Sequence, residues 1–167
     1  MFDHKRALVA LDGSTSSEAV LRFVLEIAGP LDMTVLLLRV VESPIPPMAD
    51  DFYRAPVETL EDRRRDAEEY LAPIAAALRA RGVETAWAVR RGRPEDEILA
   101  AAAESGVDLI AMATHGRTGF GRLLFGSVAE AVLRRATVPV FMIRQPDRVE
   151  TPPAPRVMPA VLSVRGR

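Results

Sequence analysis

Five short apolar runs, each followed by a stretch of helical character, constrain this chain more than any other feature. They are "ALVALD" from Ala7, "TVLLLRVV" from Thr34, "TAWAVR" from Thr85, "DLIAMAT" from Asp108 and "VPVFMIR" from Val138. The runs are nearly continuous rather than alternating, the pattern of strands covered on both faces. Strands that alternate with helices make a parallel sheet with helices on both sides, an α/β three-layer sandwich. The 167 residues suit one such domain.

The intervening segments carry helix punctuation. In "GSTSSEAVLRFVLEIAGP" the spacing of Thr15 and Glu18 predicts a capping box, and Gly29-Pro30 a stop. "VETLEDRRRDAEEYLAPIAAALRARG" predicts a long helix ending at Gly82, with a solvated charged half and a possible kink at Pro73. Pro94 opens a third helix whose first turn is acidic and which Gly106 closes. Ser127 and Glu130 again have capping-box spacing before "SVAEAVLRRA". Between the second strand and the long helix, Glu42–Pro56 holds four prolines and reads as a long loop. Trp87, on the third strand, reads as core. From Gln145 the chain is proline-rich and aperiodic, so the domain is expected over 1–144, with a disordered or loosely docked tail over 145–167.

Pro139 sits inside the last run. Proline cannot donate to a ladder, so that strand belongs at an edge or begins irregularly. An apolar edge at Val138–Ile143 would aggregate if left bare, and a second copy would cover it, hence a homodimer. Net charge is −1, which provides no general field for nucleic acid or anionic lipid. There is no cysteine, which removes disulfides, thiol nucleophiles and thiolate metal sites. No apolar run approaches the roughly 20 residues of a membrane helix, and no signal-length segment opens the sequence. The expectation is a cytoplasmic protein.

In an open parallel sheet, ligands sit beyond the carboxyl ends of the strands. The loops there are "LDGSTSS", "VVESP" and "ATHGRTGFG". The last begins a glycine-rich span, Ala113–Glu130, with Gly116, Gly119, Gly121 and Gly126. Glycines allow main-chain N–H groups to approach a ligand, and a helix start adds unpaired donors and partial positive charge. Arg117 and Arg122 can add charge. The span is neither a Walker A loop nor a Rossmann fingerprint. On the residues alone, a phosphate cup and a plain connector before a capped helix remain equally open. Arg91 and Arg93, flanking Gly92, are within reach of the same crevice, although a solvated position is the simpler account.

"GVDLIAM" followed by "ATHGRTGFGRLLFGSVAEAVLRRATVPVFMIR" resembles the nucleotide-binding signature of the universal stress protein family. That signature is Gly, two residues, Gly, nine residues, Gly, then Ser or Thr. Gly116, nine intervening residues and Gly126-Ser127 match it, and Ala113 stands where the first glycine would be. "ALVALDGSTSSEAVL", "VLLLRVVESP" and "VRRGRPEDEILAAAAESGVDLIAM" align in the same order, so the resemblance runs from about Lys5 to Arg144. It implies a five-stranded sheet ordered 3-2-1-4-5, dimerisation through the fifth strand, and ATP in a crevice between strands one and four. It places Asp12 near the ribose or adenine beside Ala10 and Leu11, and Val40 on adenine through its backbone. Met112, Ala113 and Thr114 would wall the pocket. His115, Gly116, Arg117 and Gly119, with Gly126, Ser127 and Val128, would hold the phosphates, bridged by Mg²⁺ or Mn²⁺. The implied function is a dimeric, ATP-binding regulator of stress or energy state acting on unknown protein partners. No P-loop lysine or water-orienting base is visible, so hydrolysis is slow at most. Ala113 leaves a second reading, a dimeric interaction module without nucleotide.

Overall fold

The apolar runs become the strands of one sheet, and the punctuated segments become its helices. The computed structural model describes residues 5–42, 59–115 and 126–145. In chain order the elements are β1 (Arg6–Ala10), α1 (Thr15–Ala28), β2 (Thr34–Val41), α2 (Leu60–Arg79), β3 (Thr85–Arg91), α3 (Pro94–Ser105), β4 (Leu109–His115), α4 (Ser127–Arg135) and β5 (Val140–Gln145). All pairings are parallel and the order is β3-β2-β1-β4-β5, as the resemblance implied. The loop expected over Glu42–Pro56 lies outside the described residues after Glu42, as does the tail after Gln145.

Period-two alternation sorts the core into two layers. Ala7, Val9 and Leu11 from the first strand region join Val35, Leu37 and Ala111 under α1 and α2. Leu8, Leu38, Ile110 and Met112 point the other way and meet Ile98, Ala101 and Ala102 of α3 and Ala129 and Val132 of α4. Both layers hold side chains fully removed from water, among them Leu37, Leu71, Leu8 and Ile110. Trp87 is half-buried against the first layer.

The caps correct the sequence reading. Ser14, not Thr15, caps α1: its Oγ accepts from Ser17 N at 3.1 Å. The capping box is instead on α2, where Thr59 and Asp62 exchange bonds. That helix starts at Leu60 and runs through Pro73 to Arg79. Ser127 is the first helical residue of α4 and Gly126 its cap, with no side-chain bond to the exposed amides. Glu130, expected to close a box, pairs with Arg134 at 2.7 Å. Pro139 precedes β5 and contributes what proline retains, a carbonyl that accepts from Ile110 N at 3.0 Å. β5 is an edge strand, as Pro139 predicted.

One buried group stands out. The Tyr70 hydroxyl on α2 is buried with no hydrogen-bond partner among the described residues. Burial pushes its pKa up to about 12; the neighbouring Ser17 hydroxyl pulls it down in part, and the nearby Glu18 and Asp12 carboxylates add to the rise. A phenol held neutral in the native state while the unfolded chain ionises near pH 10 lowers stability as pH rises between about 10 and 12. Below pH 10 the group does not change the balance. Tyr70→Phe removes an unpaired polar atom and is expected to leave stability unchanged or to raise it by about 1 kcal/mol at neutral pH. The variant should also lose part of the alkaline decline. Thermal melts at pH 7 and pH 11 check both, and a clear loss of stability at pH 7 would reveal a hydroxyl partner.

Candidate functional site

A crevice opens where β1 stops short of its neighbours. Ala10, the last residue of β1, pairs with Leu38 on one side and Met112 on the other. β2 continues to Val41 beside β3, and β4 continues to His115 beside β5. From β1 the sheet is built outward in both directions, so this gap is the topological switch point, where open α/β sheets place ligands. The helices add to it because each begins at the carboxyl edge of the strands.

The cavity is about 360 Å³, within the range of small-molecule sites. Ala10, Leu11, Asp12, Val40, Met112, Ala113, Thr114, Gly126, Ser127 and Val128 line it, all of them named from the sequence. His115 closes β4 opposite Gln145. Gly116, Arg117 and Gly119 lie outside the described residues. The sequence reading did not assign Ser17, Leu38, Glu42, Pro94, Ile98 or Ala129 to the site, and these also line the cavity. Leu38 had a usable signal, being two residues before Val40 on the same strand face. Pro94 and Ile98 occupy successive turns of α3, whose approach depends on the folded layers.

The β1–α1 turn is tightly organised. Asp12 Oδ1 accepts from Ser14 N at 2.8 Å, a local turn that sets Ser14 to cap α1. The buried Ser17 hydroxyl donates to Ser14 O at 2.8 Å and accepts from Asp12 N at 3.4 Å. Gly13 between them has φ +88, in the left-handed region.

The β2 wall exposes main chain. Leu11 N donates to Leu38 O at 2.9 Å, so the Leu38 carbonyl points toward β1. Alternate residues of a parallel strand direct their amide groups to the same side. Val40, two residues on, therefore turns its N–H and C=O toward β1 as well, beyond Ala10, where that strand has ended. The two groups face the crevice as an adjacent donor and acceptor, walled by Leu38, Ile98 and Met112.

At the opposite wall, α4 begins without a side-chain cap, and the amides of Ser127, Val128 and Ala129 precede the first helical bond, Glu130 N to Gly126 O at 2.9 Å. Gly126 has φ −56 and ψ 153, open to any residue, and a Cβ placed there would meet no atom of the described residues within 4 Å. Among the described residues neither backbone strain nor packing calls for glycine here, and Gly126 lines the cavity. The α3 start is different, since Glu95, Asp96 and Glu97 fill its first turn. Arg93 is held on Glu95 at 2.6 Å, and Arg91 borders a separate depression with Leu60 and Arg64. Neither arginine lines the crevice. Among the described residues, no three His, Cys, Asp or Glu side chains are grouped to hold a metal, and no helix is long and apolar enough to cross a membrane.

Fold and crevice define a doubly wound α/β domain with an open cavity at its switch point. The chain belongs to the universal stress protein family, whose model matches residues 4–144. It is 31% identical over 147 residues to universal stress protein MJ0531 of Methanocaldococcus jannaschii, covering 87% of this chain and 85% of that protein. Among solved structures it is similar to a universal stress protein family member from Burkholderia pseudomallei, with TM-score 0.64 and 30% identity over 84% of this chain and 96% of the other. It is also similar to the universal stress protein from Archaeoglobus fulgidus in complex with dAMP, with TM-score 0.60 and 25% identity over 86% and 99% of the two chains.

Proposed function

We propose that this chain binds ATP in the crevice and acts as a nucleotide-dependent regulator of stress or energy state. The observation that carries the reading is Gly126, a glycine that no contact among the described residues requires, at the head of a helix whose cap position offers its amides no side-chain bond and which lines the cavity. Amides ahead of the first helical bond and a helix dipole there suit phosphate, and the missing side chain would allow close approach. Val40 N–H and C=O offer the donor–acceptor pair that complements adenine N1 and its 6-amino group. Asp12, at the turn between them, would accept from ribose hydroxyls. Ser127 and Thr114 add hydroxyls on the phosphate side. The dAMP complex of the Archaeoglobus relative supports an adenine nucleotide as the ligand class.

Mg²⁺ or Mn²⁺ would be held through the phosphates. Among the described residues no lysine lines the cavity to clamp a phosphate, which supports binding as the main event with slow hydrolysis at most. A second copy would pair along the β5 edge and cover Val138–Ile143, giving a cytoplasmic homodimer that protein partners read.

Isothermal titration with ATP and Mg²⁺ is expected to give saturable heat at one site per chain. AMP should bind at least about tenfold more weakly, because it lacks the outer phosphates that charge-assisted amide bonds would hold. No heat with ATP would overturn the reading in favour of a nucleotide-free interaction module. Equal affinity for AMP would remove the role of the α4 amides.

A further inference from the structure

Strand alternation puts Arg39 on the face of β2 opposite to Leu38 and Val40, away from the crevice and toward α2. Its guanidinium lies 5.0 Å from the centre of the Tyr70 ring. It also covers Gly13 closely: a Cβ at that position would lie 2.8 Å from Nη2, 2.9 Å from Cζ and 3.2 Å from Nη1. Three atoms of one planar group at nearly one distance mean that the plane faces the Gly13 main chain. Among the described residues Arg39 makes no ion pair. Its plane, rather than a carboxylate partner, defines its contacts.

The loop it covers is the one that carries Asp12. Asp12 is exposed and stands between two depressions, the crevice on one side and a smaller one of about 270 Å³ on the other. Arg39 lines the second, with Arg63 and Asp66 of α2. Gly13 is held at φ +88 with the guanidinium against it, so the turn has little room to relax backwards. The Asp12 carboxylate accepts from Ser14 N, and the guanidinium plane covers the next residue, Gly13, so the plane bears on the turn that carries the carboxylate rather than on the carboxylate itself.

We propose that Arg39, backed by the Tyr70 ring, is a positioning residue that sets the Asp12 carboxylate for the ribose hydroxyls of the bound nucleotide. The proposal rests on the nucleotide reading above and adds a residue that touches no part of the ligand. It predicts a selective defect. Losing Arg39 costs the hydroxyl bonds and leaves the phosphate and base contacts unchanged.

The test compares ATP with 2′,3′-dideoxy-ATP by titration in the full chain. The native chain is expected to prefer ATP by about tenfold, the order of a hydrogen bond to a charged group. In Arg39→Gln the preference should fall to about twofold, through loss of ATP affinity, with dideoxy-ATP binding unchanged. Asp12→Ala should abolish the preference, and adding Arg39→Gln to it should change nothing further. Arg39→Lys keeps the charge but not the plane, so it should resemble the glutamine variant and serves as a second test if that variant folds poorly. Restored preference in Arg39→Lys would assign Arg39 a charge role and overturn the proposal. Equal weakening of both nucleotides, or no change, would overturn it too. A native chain that binds neither nucleotide overturns the functional reading itself, whereas one that binds both without preference sinks only the ribose contact and this proposal.

Discussion

Gly126→Asp is expected to make the protein slightly more stable and nearly unable to bind ATP. Gly126 occupies the cap position of α4, with ψ 153 and open space where a Cβ would stand, so aspartate fits without strain. Its carboxylate would accept from the amides of Val128 or Ala129 and complement the helix dipole. A better cap and the dipole together contribute about 0.5 kcal/mol after allowing for repulsion from Glu130, which Arg134 already neutralises in part. In a chain of 167 residues that raises the melting temperature by about 1–2 °C. The same carboxylate occupies the donors that phosphate would use. Two like charges about 5 Å apart at an effective dielectric of about 20 repel by about 3 kcal/mol, so affinity falls about 100-fold. Opposite signs in the two measurements separate this account from misfolding, which lowers both. A variant that still bound ATP like the native chain would show that the α4 amides do not hold phosphate. Gly126→Ala leaves the donors free and should lose far less affinity.

The sequence was readable where one physical effect dominated locally. Strands buried on both faces must be apolar throughout, so "TVLLLRVV" and "DLIAMAT" were legible without any partner. The order 3-2-1-4-5 was not, because no residue of β1 records that it will lie between β2 and β4. That order was implied by family resemblance. The caps failed for a different reason. "GSTSS" offers several hydroxyls in succession, each able to start α1. Only the turn made by Asp12 with Ser14 N selects Ser14. At α4 the Ser127–Glu130 spacing imitated a capping box, and the cap position belongs to a glycine instead. The loops that frame the crevice were legible as strand ends and a glycine-rich span, each a local feature, whereas its individual residues, Asp12 and Val40 among them, were implied by family resemblance. Pro94 and Ile98 enter it from α3, while Arg39 acts from behind the sheet, and neither arrangement leaves a mark in local spacing.

Leu37 and Leu38 provide the second large test, since they are consecutive residues of one strand with the same burial and opposite destinations. Leu37 is 0% exposed and Leu38 1%. Leu37 packs with Val9, Leu71 and Ala111 beneath α1 and α2. Leu38 packs with Leu8 and Ile98 on the other face and forms part of the crevice wall. Truncating either to alanine removes three buried carbons and leaves a cavity, at a cost of about 3 kcal/mol each. The melting temperature should fall by about 6–12 °C in both variants, with an unchanged denaturant m-value. Binding should then divide them. Leu38→Ala withdraws apolar surface from the face that would receive adenine and should weaken ATP by about tenfold. Leu37→Ala should change affinity by less than about twofold, because its side chain is a full sheet thickness from the ligand. Strand pleating alone creates that contrast, as composition, propensity and burial are matched. Equal losses of affinity in the two variants would place the ligand on neither face in particular and would remove the switch-point crevice as its site.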